Sequence, residues 1–495
     1  MILLLIRINV LFICHTIFAG KKGVSALIKL DLLESSDIKH VHMIGIDGIS
    51  MSGLAEILLN LGYEVSGSDI KTSGKTEKLK TLGAKIYPYH SGENITGSDL
   101  VVYTAAIKGE NPEIIKAREL GIPMIDRAAL LGQIMKKYPF SIAVSGTHGK
   151  TTTTSMVTTI MITSGFNPTV HIGAELEAIG GTTKIGGDRY FVAEACEYYG
   201  SFLKFHPFLG IILNIEFDHA DYFRDIEHVK DTFRKFASQV PENGFLVACA
   251  DDMNSSAILE SVSCNRITFG LHSKSAMWSA KEVRFDDRGC ASFTLIMKGE
   301  EMGEIKLNVP GIHNVNNALA AIAACYTLGC DIKSIRQGLL NFNGAHQRFE
   351  MKGVIDGIKV IDDYAHHPSE IKATLKAAVN LNHSRVWCVF QPHTYTRTKF
   401  LLDEFASSFT DADMIVVSDI YAAREADNGE VHSRMLVDRI RANGKEAVYI
   451  SGFDDIVDYL KDNTSPGDLV ITMGAGNINK VGEMFLEVKK IMAVS

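Results

Sequence analysis

Ser141-Ile142-Ala143-Val144-Ser145-Gly146-Thr147-His148-Gly149-Lys150-Thr151-Thr152-Thr153-Thr154 is the stretch that decides the architecture. An apolar strand (141–144) runs into a glycine-bounded turn, and a helix follows. A strand that turns at glycine and restarts as a helix points backbone N–H groups and the positive helix end at an anion. Gly146, Thr147, His148 and Gly149 are the expected cradle for phosphate oxygens, with Thr152 in the first helical turn. Lys150 suits the β- and γ-phosphates of a nucleoside triphosphate, and the Thr151 hydroxyl suits Mg²⁺. The common form of this loop has a glycine five positions before Gly149, where this chain has Val144. The loop is therefore a variant.

Outward from it, strand-like runs alternate with helical stretches, which predicts an α/β protein with largely parallel sheets. Val41–Ile46 reads as a strand ending in a glycine turn. A helix patterned on Leu54, Ile57, Leu58 and Leu61 follows, then the strands 63–67 and 100–103. Alternation over 268–309 predicts an antiparallel subsheet. Further strands are expected at 359–361, 386–390, 414–417 and 468–472. Three domains are expected: a Rossmann-like N-terminal domain (38–138), a central P-loop ATPase-like domain (139–345) and a Rossmann-like C-terminal domain (346–495).

The length of 495 residues fits roughly three domains. A net charge of -8 argues against a general nucleic-acid binder, which needs a basic face. Eight scattered cysteines without a C-x-x-C pair read as reduced thiols of a cytoplasmic protein. The segment 1–37 stands apart. Its apolar start carries Arg7 internally, is short for a membrane span, and lacks the basic leader of a signal peptide. Translation is expected to begin near Val24, with no stable membrane insertion.

Downstream, Val192-Ala193-Glu194 and Leu213-Asn214-Ile215-Glu216-Phe217-Asp218-His219 each follow an apolar run, so Glu194 and His219 can meet at one sheet edge. A carboxylate and a neutral imidazole suit Mg²⁺ or Mn²⁺, although each residue alone reads more readily as an ordinary surface carboxylate or a hydrogen-bonded histidine. Asn314 and Asn317 open an Ala-rich helix, where asparagine is a natural N-cap. Asp362-Asp363-Tyr364-Ala365-His366-His367-Pro368 ends a strand, and Gln391-Pro392-His393-Thr394-Tyr395-Thr396-Arg397 follows another. Adjacent histidines rarely share one ion. Arg397 is shaped for bidentate contact with a carboxylate. The loop 474–478 closes the last strand.

Gly-Thr-His-Gly-Lys-Thr-Thr resembles the ATP loop of the Mur ligases and of their relative folylpolyglutamate synthetase. Together with Gly45-Ile46-Asp47-Gly48-Ile49-Ser50, Ser66-Gly67-Ser68-Asp69, Asp363–Pro368 and Gln391-Pro392-His393, the resemblance covers almost all of 38–490. It implies a ligase in which ATP phosphorylates a carboxylate and an amine attacks the acyl phosphate. UDP-N-acetylmuramate and L-alanine are the implied substrates, in a monomer or homodimer. Lys150, Glu194, His219 and Arg348 are the implied catalytic residues, with Thr151, Glu194 and His219 on metal. Asn314, Asn317 and Asp363 are the implied nucleotide contacts. Gly45, Gly48, Ser50, Ser68 and Asp69 would face the UDP-sugar. His366 and His367 would sit near the reacting centre, with His393 and Arg397 on the amino acid.

Asp47 stands where the family usually has glycine, and its carboxylate is expected to repel the UDP phosphates. A ligase that recycles a preformed peptide would share most of these motifs. A dinucleotide oxidoreductase, suggested by Gly45 and Gly48, leaves Gly149-Lys150-Thr151 unexplained. A catalytically dead ATP-binding scaffold would not need the full charged set.

Overall fold

The computed structural model describes residues 32–35 and 37–494. The expected start near Val24 lies outside them, as does nearly all of 1–37. The chain forms two compact units, Met1–Pro139 with Lys204–His206, and Phe140–Leu203 with Pro207–Ser495.

In the first unit five parallel strands form one sheet: β1 (His40–Ile44), β2 (Glu64–Ser68), β3 (Lys85–Tyr87), β4 (Leu100–Tyr103) and β5 (Met124–Asp126). Their order is β3-β2-β1-β4-β5. The order reverses between β1 and β4, and the crevice beyond strand ends at such a point is where α/β sheets take ligands. The expected strands and the helix Ile49–Asn60 are present. Val41, Met43 and Ile44 on β1, and Leu54, Ile57 and Leu58 on the helix, are wholly buried, which fixes the turn between them.

The second unit holds two sheets. The larger has ten strands: β6 (Phe140–Ser145), β7 (Thr169–Leu176), β8 (Gly181–Lys184), β9 (Tyr190–Glu194), β10 (Leu209–Ile212), β11 (Phe245–Cys249), β12 (Asn265–Phe269), β13 (Trp278–Phe285), β14 (Cys290–Met297) and β15 (Glu300–Pro310). Their order is β15-β14-β13-β12-β11-β10-β6-β9-β7-β8. β13–β15 pair antiparallel, as the alternating pattern predicts. The helix Lys150–Thr163 packs Met156, Val157, Ile160 and Met161 into the same core as Val315, Leu319 and Ile322 of the helix Ile312–Thr327. A third helix, Ile332–Asn341, approaches so closely that a Cβ on Gly338 would lie 2.6 Å from Ile160 Cα.

The smaller sheet comprises β16 (Glu350–Ile355), β17 (Ile358–Asp363), β18 (Val386–Phe390), β19 (Met414–Val417), β20 (Glu446–Tyr449) and β21 (Leu469–Met473), in the order β16-β17-β21-β18-β19-β20. All pairs are parallel except β16–β17 at the edge. Apolar clusters cover both faces, which explains the continuous apolar runs of β18 and β21. Among the described residues, no helix is long and apolar enough to cross a membrane.

Candidate active site

The loop between β6 and the helix Lys150–Thr163 is held by backbone conformation and by the strand beside it. Gly146 and Gly149 have φ of +141° and +82°, and a Cβ on Gly149 would lie 2.6 Å from Asn317 Oδ1. Only glycine fits both positions without strain. Thr147 N donates to Asn214 O (3.0 Å), His148 N to Asn214 Oδ1 (2.8 Å), and Glu216 N to Thr147 Oγ1 (2.9 Å). The loop is thus pre-shaped.

Lys150 is folded onto its own loop. Its Nζ donates to Gly146 O (2.5 Å) and Thr147 O (3.0 Å), and to both carboxylate oxygens of Glu197 (3.1 and 2.9 Å). Burial opposes the lysine charge, but Glu197 foremost, with Cys196 and Glu194 behind it, pushes the ammonium up to about 12. Glu197 is almost fully buried, and His219 Nε2 lies 4.0 Å from its Oε1. His219 adopts a left-handed backbone (φ 55°), and its ring stacks on Tyr198 with centroids 4.3 Å apart. Glu194, ending β9, accepts a hydrogen bond from Gly173 N (3.0 Å). Glu194 and His219 therefore both bear on the Lys150–Glu197 pair, a centre the sequence reading had not singled out.

A cavity of about 370 Å³ opens beside the loop, within the size range of small-ligand sites. His148, Gly149, Asn314, Asn317, Arg348 and Asp363 line it, with Thr152. The asparagines do not cap their helix: its N-cap is Gly311, without a side-chain cap bond. Asn314 Nδ2 instead donates to Pro310 O (2.7 Å), and Asn317 Nδ2 to Asn314 Oδ1 (3.0 Å). The N-cap expectation is corrected, because the φ of +96° at Gly311 makes the turn. Arg348 Nη2 lies 3.5 Å from Thr151 Oγ1, and its guanidinium sits over the Tyr364 ring at 4.7 Å. Asp363 accepts from Phe349 N and Ala365 N (both 2.7 Å). Burial raises its carboxyl to about 6 against the pull of Arg348.

The two adjacent histidines part ways. His366 Nδ1 meets Tyr364 O (2.9 Å), and its ring is 5.9 Å from that of His393. His393 Nδ1 is 3.1 Å from Arg397 Nη1, and Arg397 is clasped by Asp218 (Nε–Oδ1 2.9 Å, Nη2–Oδ2 3.3 Å). Burial first of all holds His366 down at about 3 and His393 at about 4, so both imidazoles are neutral near pH 7. Burial opposes the Asp218 carboxylate, but Arg397 and the nearby histidines hold it far below the ordinary range. His367 caps the helix Pro368–Val379 in a box with Glu370, and faces Glu216 and Phe217.

In the first unit, the turn after β1 and the end of β2 carry the remaining expected residues. Gly45 has φ +82° and donates its N–H to Ser68 O (2.8 Å). Gly48 precedes the helix Ile49–Asn60, whose N-cap has no side-chain bond, so its first amides are open to an anion. Ser50 Oγ accepts from Arg127 Nη1 (2.8 Å), and Ser68 Oγ donates to buried Glu113 (2.6 Å). Asp69 Oδ2 accepts from Asp47 N (3.1 Å). The left-handed position in this turn belongs to Gly45, and Asp47 has no positive φ. Its carboxylate accepts instead from Ser73 Oγ (2.6 Å), the N-cap of the next helix.

Three family models match in succession: the Mur ligase family catalytic domain over residues 40–139, the Mur ligase middle domain over 144–325, and the Mur ligase glutamate ligase domain over 347–476. The chain belongs to the Mur ligase family. This Mur ligase is 63% identical over 467 residues to the UDP-N-acetylmuramate–L-alanine ligase of Acetivibrio thermocellus, covering 94% of this chain and 100% of that one. Identity to the ligase of that name from Caldanaerobacter subterraneus is 54% over 458 residues, covering 92% and 99%. Among solved structures, UDP-N-acetylmuramate–alanine ligase from Thermotoga maritima superposes with a TM-score of 0.75 at 30% identity, over 92% of this chain and 99% of that one. A murein peptide ligase from Psychrobacter arcticus gives a TM-score of 0.67 at 26% identity, over 91% and 98%.

Proposed function

We propose that this Mur ligase joins L-alanine to the carboxylate of UDP-N-acetylmuramate at the expense of ATP, in the cytoplasm, giving UDP-N-acetylmuramoyl-L-alanine, ADP and phosphate for peptidoglycan synthesis. The observation that carries this reading is the cavity in which the phosphate loop, the Asn314–Asn317 pair, Arg348 and Asp363 converge. The substrate pair rests on the 63% identity to an alanine-adding ligase over that relative's whole length.

ATP lies in the cavity, its phosphates on the amides of 146–149 and its adenine beside Asn314 and Asn317. The donor set of Thr151, Glu194 and His219, two oxygens and an imidazole nitrogen, suits Mg²⁺ or Mn²⁺. That ion, when bound, offsets phosphate charge as the anionic carboxylate approaches. Lys150 leaves Glu197 for the phosphates, and Arg348 faces them from the third domain; both stabilise charge as the γ-phosphoryl group moves. A carboxylate oxygen of the sugar bonds to the γ-phosphorus and the bond to ADP breaks. The alanine amine then attacks the acyl carbon, and the tetrahedral intermediate expels phosphate.

Arg397, aided by His393, takes the carboxylate of alanine. The neutral imidazoles of His366 and His393 are available to hold the proton that the attacking amine loses. In the first domain, the 45–50 turn and the open helix end take the UDP phosphates, with Ser68 and Asp69 at the next strand end. The domains extend over 38–138, 139–345 and 346–495.

The test is phosphate release from ATP with UDP-N-acetylmuramate and Mg²⁺, with and without L-alanine. Release that needs both acceptors supports the reading. Release with tripeptide in place of alanine would favour a peptide-adding ligase; the Psychrobacter arcticus structure is named a murein peptide ligase. Silence with every acceptor would favour an inactive ATP-binding scaffold.

A further inference from the structure

His148, Glu216 and His367 each offer one ligand atom within 4.8 Å of the other two. His148 Nε2 is 3.5 Å and His367 Nδ1 3.9 Å from Glu216 Oε2. In a tetrahedral site with bonds of about 2.0–2.2 Å, neighbouring donors are roughly 3.4 Å apart, close to the two imidazole–carboxylate separations. His148 Nε2 is buried and has no aligned hydrogen-bond partner.

The outer contacts are also those of a metal site. Imidazoles that bind metal through one nitrogen usually donate the other N–H to a carboxylate or a backbone carbonyl. His148 Nδ1 lies 3.1 Å from Glu370 Oε1, and His367 Nε2 lies 3.3 Å from Phe217 O. Both rings thus turn their remaining nitrogen toward Glu216, whose Oε2 is itself oriented by Ser369 Oγ. The His367 ring also caps the helix Pro368–Val379, accepting from Ser369 N (3.4 Å to Nδ1) and from the backbone amide of Glu370, and a cation on Nδ1 displaces these cap bonds.

We propose that His148, Glu216 and His367 form a binding site for a borderline transition-metal cation such as Zn²⁺, separate from the Thr151–Glu194–His219 set, with Glu370 and the Phe217 carbonyl as its outer shell. Two imidazoles and one carboxylate match Zn²⁺ and Co²⁺, whereas Mg²⁺ demands oxygen and keeps its water. The fourth position faces the nucleotide cavity, which His148, Glu216 and Glu370 also line. An ion there pins the phosphate loop to the N-terminus of the helix Pro368–Val379. Zn²⁺ therefore acts as an inhibitor that excess Mg²⁺ does not relieve. Because binding displaces a proton from His148, affinity rises with pH.

The experiment titrates Co²⁺ into the nucleotide-free protein and follows the visible d–d absorption of tetrahedral Co²⁺, with bound metal counted after desalting. The expected result is one equivalent bound with that absorption, abolished by His367→Gln and by Glu216→Gln, and kept by His219→Gln. Glu370→Gln should weaken binding by roughly 10–100-fold, as loss of an outer-shell partner does. Thermal unfolding of each variant separates loss of the site from loss of the fold. Absence of tetrahedral absorption in the unaltered protein overturns the proposal. So does absorption that His367→Gln leaves in place, or that His219→Gln removes.

Discussion

Removing the Asp218 carboxylate should cost far more than the intact Asp218–Arg397 pair contributes. The two side chains are 7% and 9% exposed and meet at 2.9 Å. At about 3 Å and an effective dielectric near 20, their attraction is about 5 kcal/mol. Desolvating each ion costs several kcal/mol, so the pair nets close to zero. Asp218→Asn leaves the Arg397 guanidinium buried against His393, and loss of one partner of a buried pair costs about 3–5 kcal/mol. Arg397→Gln should cost a similar amount. The double variant should cost no more than either single one, a coupling of at least about 2 kcal/mol. Urea unfolding read by tryptophan fluorescence suits the assay, because the chain has only two tryptophans. Trp278 lies in the larger sheet of the second unit and Trp387 in the smaller, both about 1% exposed. Additive losses in the double variant would refute the reasoning, as would an Asp218→Asn cost below about 1 kcal/mol.

Three further outcomes are expected. Lys150→Ala should lower kcat by on the order of 10²–10³-fold, the usual loss when one preorganised charge donor is removed; an unchanged rate would place the phosphates elsewhere. Asp47→Gly should lower the KM for the UDP-sugar severalfold by removing a negative charge, whereas Ser73→Ala, which removes the partner of Asp47 and a helix cap but no charge, should not; steady-state kinetics of both variants separates charge from loop order. For His148, burial opposes the charge, but Glu370 and Glu216 raise the imidazole from 6.5 to about 10. The folded state thus binds this proton more tightly than the unfolded chain. The stabilisation is complete below about pH 6.5 and fades as pH rises through 10, amounting to at most about 5 kcal/mol. The fall in thermal midpoint between pH 7 and pH 10 should therefore be larger in the unaltered protein than in His148→Gln; equal falls would contradict it.

Much of the fold could be read from local pattern. The expected strands at 100–103, 386–390 and 414–417 coincide with β4, β18 and β19, because each is an unbroken apolar run buried on both faces. The edge strands β8 and β16 gave no such signal, since their exposed sides need no apolar residues. The phosphate loop was legible because its chemistry is written in consecutive residues. The groups that hold the site in place were not. Glu197 meets Lys150 across 47 positions, Asp218 meets Arg397 across 179, and Glu370 meets His148 across 222. Each is an ordinary carboxylate in sequence, and its partner is set only when the sheets come together. A weak signal existed for Glu197, which lies three residues after Glu194 in the same turn. Asn314 shows the opposite error: its position at a helix start suggested a cap, while the neighbouring Gly311 already made the turn.

The most direct test of the ligase reading uses UDP-N-acetylmuramate labelled with ¹⁸O in both carboxylate oxygens, incubated with ATP, Mg²⁺ and L-alanine. Mass spectrometry of both products should find one ¹⁸O in the released phosphate and one in the amide of UDP-N-acetylmuramoyl-L-alanine. Phosphate without label, or ATP turnover without the alanyl product, would contradict attack of the sugar carboxylate on ATP and with it the proposed function.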